Sequence, residues 1–131
     1  MSAANSREAP TPAGPELACL LHWEQVSGWM LERTAKWPKS MRFALVQKVD
    51  LHVLEVLDAL VVARYEPRER VHCLREANLR LERLRFLLRI ALARQALSKS
   101  HFETAMRSID ELGRMLHGWR TALGERREAT P

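Results

Sequence analysis

Apolar residues recur at three- and four-residue steps through most of this 131-residue chain, the spacing that gathers side chains on one face of an α-helix. Four segments carry the pattern. The first begins near Glu16, where Pro15 suits a helix entry, and takes Leu17, Leu20, Leu21, Trp29 and Met30 as its apolar material. It ends before Pro38, because the residue ahead of a proline avoids the α region. The second runs from about Met41 to Tyr65 with Ser40 as its N-cap and Leu45, Val46, Val49, Val53, Val56, Leu57, Leu60 and Val61 as a broad apolar face. Its valines would suit a strand, but the 3.6-residue period and the absence of a breaker argue for helix. Pro67 opens a third helix that reaches about Ala96. After the turn Leu97-Ser98-Lys99-Ser100, a capping box of Ser100 and Glu103 starts a fourth. Its apolar positions are Phe102, Ala105 or Met106, Ile109, Leu112, Leu116, Trp119 and Leu123. Four helices on short connections predict an all-α, antiparallel up-down-up-down four-helix bundle over residues 16–123.

The third helix has one stripe more than a monomer needs. Leu74, Ala77, Leu81, Leu84, Leu88 and Leu92 form one apolar side, and Leu79, Phe86 and Ile90 lie roughly opposite. The first stripe serves the bundle's own core. The second predicts an oligomer with Leu79, Phe86 and Ile90 at its interface. Arg75, Arg85 and Arg89 fall on one edge of the gap between the stripes, the last two at i, i+4 spacing. A guanidinium enters a core only with a carboxylate, since its desolvation otherwise goes uncompensated, so these side chains meet solvent, an acid or a phosphate. Glu76 and Glu82 are the acids at hand, and the sequence leaves open the choice between them and an anionic partner.

Composition adds a moderate positive charge, 21 basic against 16 acidic residues for a formal +5. Apart from Lys36, Lys39, Lys48 and Lys99 every cation is an arginine, which suits phosphate. The excess permits a polyanionic partner without requiring one. Residues 1–15 are rich in Ala, Pro, Ser and Thr and read as a disordered tail, and 124–131 as a frayed polar one. Cys19 and Cys73 form no CxxC pair or disulfide framework, which points to a reducing compartment, the cytoplasm. Neither a leader pattern nor an uncharged apolar run of roughly 18 residues is present, so no membrane association is expected. No nucleophile elbow, phosphate-binding glycine loop or HExxH occurs, and the reading is of a protein that is not an enzyme and takes no cofactor. Only Glu69 and His72, next to Cys73, have Glu-x-x-His spacing, and they predict no metal site. Trp29 and Trp119 read as core. Trp37, beside Pro38 and ahead of Lys39 and Arg42, reads as the exposed tryptophan available to a partner.

With those blocks assembled the chain resembles a known family. KWPKSMRFALVQKVDLHVLEVLDAL, then LRLERLRFLLRIA, then SKSHFETAMRSIDELGRMLHGW are similar in order and spacing to the accessory variability determinant (Avd) proteins of bacterial diversity-generating retroelements. The likeness covers roughly Leu20 to Arg120. It rests on a proline-basic turn from Trp37 to Phe43, an LRFxLR block from Leu84 to Arg89, and a final helix ending in Gly118-Trp119. The resemblance implies a ring-shaped homopentamer of four-helix bundles. It further implies binding to the retroelement reverse transcriptase and to template RNA, in support of cDNA synthesis during mutagenic retrohoming. By the LRFxLR match, Arg85 and Arg89 are the implied functional positions, with Lys39 and Arg42 from the proline-basic turn as a second pair. The modest net charge is the chief departure. Two alternatives stay open: the four-helix proteins of ribosomal-RNA intervening sequences, which resemble this group in fold and basicity, and a structural or regulatory bundle with no nucleic-acid role.

Overall fold

The computed structural model describes residues 14–129, so the expected N-terminal tail lies, except for its last two residues, outside the described residues. Four α-helices carry the fold: α1 (Gly14–Thr34), α2 (Gln47–Tyr65), α3 (Arg70–Ala93) and α4 (Lys99–Ala129). There is no strand among the described residues. α1 packs on α2 and α4, and α3 packs on α2 and α4, closing a four-sided bundle. Cross-contacts show neighbours running in opposite directions. His22 bonds the Ser108 carbonyl at 2.9 Å while Arg33, further along α1, meets His101, earlier on α4.

The core follows the helical period. On α1 it takes Cys19, Trp23, Val26 and Met30, and on α3 Leu74, Ala77, Leu81, Leu84 and Leu88, with Ala91 rather than Leu92 closing the row. Trp23 and Trp119 are the fully buried indoles, and Trp29 packs half-buried at the rim. Trp23 solves the problem of a buried N–H by donating to the Val53 carbonyl of α2 at 2.8 Å. Val61 and Leu21, whose spacing predicts burial, are exposed.

Helix ends differ from the sequence reading in four places. α2 is entered through a 3₁₀ turn (Lys39–Met41) and a π-helical turn (Arg42–Val46), and Ser40 makes no cap. α3 stops at Ala93 because Gln95 adopts φ +63° and the Ala96 and Gln95 amides turn back to the Ala91 and Leu92 carbonyls at 2.8 and 2.9 Å. This is a Schellman closure with glutamine where glycine is usual. It brings Ser98, not Ser100, to the start of α4, where its Oγ accepts the His101 amide at 3.1 Å. α4 itself continues past Gly124 to Ala129.

Candidate functional site

The outer side of α3 is as apolar as its periodicity predicts. Leu79, Phe86 and Ile90 are about half exposed, with Phe86 at 62%. The guanidinium of Arg89 lies over the Phe86 ring, 5.1 Å from its centroid, so charge and apolar stripe meet on one surface. Arg75 and Arg89 are exposed, and among the described residues no carboxylate lies within ion-pair distance of either.

Arg85 is placed differently. Its side chain is only 18% exposed and is held by Glu82 on its own helix and by Asp110 across on α4, the latter at 2.8 Å. It therefore clamps α3 to α4, lying over the backbone at Gly113, where an added Cβ would sit 3.7 Å from the guanidinium. Glu76 takes no part in this edge. It pairs with Arg80 at 3.0 Å and Arg83 at 3.8 Å on the opposite flank, where Arg80 also donates to His52 Nδ1 at 2.9 Å. Burial first, then Arg80, Arg83 and Lys48, hold the His52 imidazole below its ordinary range, against the opposing pull of Glu55. Burial, aided by Glu16, pushes the Cys19 thiol up to about 11, which marks it as a packing residue rather than a nucleophile.

Trp37 corrects the expectation of an exposed indole. It is 7% exposed and joins the core, because the end of α1 winds on past Thr34, its amide bonding the Thr34 carbonyl at 3.1 Å. Thr34 is in turn tied to Asp50 of α2 at 2.7 Å. The turn is thus fixed from within, and Lys39, Arg42 and Phe43 stand out from it.

What the fold assembles is a cationic end. The α1–α2 and α3–α4 connections lie at the same end of an up-down-up-down bundle, and here they touch, since one pocket is lined from both. From Arg33 to Val49 the chain carries Arg33, Lys36, Lys39, Arg42 and Lys48 without a carboxylate. From Arg83 to Phe102 it carries Arg83, Arg85, Arg89, Arg94 and Lys99, again without one, and because Arg83 and Arg85 are paired with acids outside the run, Arg89, Arg94 and Lys99 are the cations it leaves to this end. At the opposite end the α2–α3 connection mixes signs, Arg64, Glu66, Arg68, Glu69 and Arg70, and Arg70 spends its donors on the last carbonyls of α2, at Ala63 and Arg64. Arg33, Lys36, Arg94 and Lys99 were not singled out by sequence reasoning. The two acid-free runs were visible in the sequence, but their joining needs the topology.

A family model described as bAvd-like matches residues 20–123. The chain belongs to the bAvd-like family. The Avd-like proteins of diversity-generating retroelements are accessory proteins, and the matched span takes in the proline-basic turn, the LRFxLR block and the final helix through Leu123. No curated protein matches the chain. No described helix of this bAvd-like protein is long and apolar enough to cross a membrane, and among the described residues no three His, Cys, Asp or Glu side chains gather as a metal site would require.

Proposed function

We propose that this bAvd-like chain is the non-catalytic accessory subunit of a retroelement reverse transcriptase, and that rings of it hold template RNA on their cationic ends during cDNA synthesis in mutagenic retrohoming. The observation that carries this reading is the segregation of charge along the bundle. A formal +5 spread evenly would be a weak field, but two acid-free runs at one end concentrate it. The half-exposed stripe of Leu79, Phe86 and Ile90 supports self-association, with five copies as the family likeness suggests. In any closed ring the equivalent ends share one height and radius, so the polarity of each bundle becomes one continuous cationic band.

Within that surface Arg89, Lys39 and Arg42 are the cations assigned to RNA, and Arg85, with its two carboxylates, is assigned to holding the surface in place. Trp37 serves it from beneath. Arg75, about 15 Å along α3 from Arg85 at 1.5 Å per residue, lies outside it. In a reconstituted reaction of reverse transcriptase, template RNA and this protein, the triple variant Lys39→Glu, Arg42→Glu, Arg89→Glu is expected to lower cDNA yield by roughly tenfold or more, with helicity and particle size unchanged. Wild-type yield from that variant would contradict the reading.

A further inference from the structure

We infer that the pocket where the end of α1 meets the α3–α4 connection is a seat for a phosphate-class oxyanion. The pocket has a volume of about 120 Å³ and is lined by Arg33, Lys36, Trp37, Ala96, Leu97, Ser98 and His101. That is more room than a single water needs, and no carboxylate is among the lining residues.

Its polar groups are short of acceptors. Arg33 Nε is buried with no hydrogen-bond partner, a state that leaves a desolvated donor uncompensated. Arg33 Nη1 reaches only His101 Nε2, at 3.5 Å, long for such a bond. The one acid near the guanidinium, Glu32, stands 3.6 Å from Nη2, is itself well exposed and does not line the pocket. Ser98 Oγ accepts the His101 amide and so keeps its own hydrogen to donate. Lys36, which also lines the pocket, is exposed. The arrangement is held before any ligand arrives, since Arg33 lies over the Trp29 ring at 5.9 Å and His101 meets the same ring edge-on at 5.8 Å. Donor-bearing side chains from the end of α1 and the start of α4 line one small space with no acid among them, which suits an anionic ligand with several acceptor oxygens, a phosphate. The first turn of α4 adds to this field without being its source.

The source of that phosphate, an RNA backbone or a free anion, is the one part that rests on the function proposed above. Heat unfolding of the full chain is followed against inorganic phosphate at fixed ionic strength, because a ligand of the folded state raises Tm with the logarithm of its concentration once that exceeds Kd. Lys36→Glu, an exposed change, is expected to weaken the phosphate response at least about tenfold. Arg33→Gln is expected to do the same, while Arg107→Glu, which matches the two-unit charge change of Lys36→Glu at an α4 residue outside the pocket lining, leaves it within about threefold. A single-stranded RNA oligonucleotide is titrated on the same samples. If Lys36→Glu weakens RNA binding more than Arg107→Glu does, the seat takes a backbone phosphate; if it does not, the seat takes the free anion. A wild-type Tm that does not follow this logarithmic rise with phosphate, or an equal loss in Lys36→Glu and Arg107→Glu, overturns the seat whether or not RNA binds. RNA that fails to bind the wild type, with the phosphate response intact, overturns the proposed function and leaves the seat standing.

Discussion

Ser98 and Ser100 show how a single residue's role is decided by its neighbours. Ser100 has the better local pattern, with Glu103 three residues on, yet the chain enters α4 through the turn that Gln95 makes at φ +63°. That entry puts Ser98 at the cap and Ser100 inside the first turn. Ser98→Ala is therefore expected to lower stability by about 1 kcal/mol in denaturant unfolding, and Ser100→Ala to change it by less than about 0.5 kcal/mol; the reverse order would contradict the observed cap. Trp37 and Arg85 escaped the sequence for a related reason. The burial of Trp37 depends on α1 winding on beyond Thr34, and the partner of Arg85, Asp110, lies 25 residues away on another helix. Local spacing holds no information about either.

Among the elements, α3 was the most legible, because its two faces differ only in register within one period. The inner row of Leu74, Ala77, Leu81, Leu84 and Leu88 and the outer row of Leu79, Phe86 and Ile90 both stand where periodicity puts them. α2 was less so. Valine and leucine occur nearly all round it, and Leu51, Leu54, Val61 and Tyr65 are left exposed on its outer side, Val61 beside Leu20 and Leu21 of α1. Adjacent helices with unpartnered apolar faces make a wider surface than one stripe could. Phe86→Asp or Ile90→Asp is expected to convert the assembly to monomers in light scattering at micromolar concentration while the circular dichroism of the helices persists. A wild-type protein that is itself monodisperse and monomeric there would remove the ring from the account.

At the scale of the whole molecule the informative property is polarity along the bundle axis, which net charge conceals. The sequence showed +5 and an arginine edge on one helix flank. The fold instead collects cations from two connections far apart in the chain and uses one of the edge arginines, Arg85, as an internal clamp. The fold class was legible because helix periods and short connections determine it, and the placement of charge was not, because it depends on which connections share an end. The most direct test compares charge reversal at the two ends. Binding of single-stranded RNA is measured against salt for wild type, for Lys39→Glu, Arg42→Glu, Arg89→Glu at the cationic end, and for Arg68→Glu, Arg114→Glu, Arg120→Glu elsewhere, which makes the same change in net charge at exposed sites. The account predicts that the first variant binds RNA far more weakly and that its salt slope shrinks by about 0.7 for each phosphate it no longer neutralises, while the second keeps the wild-type slope. An equal weakening in the two variants would mean that net charge alone attracts RNA, and would contradict a cationic end built by the fold.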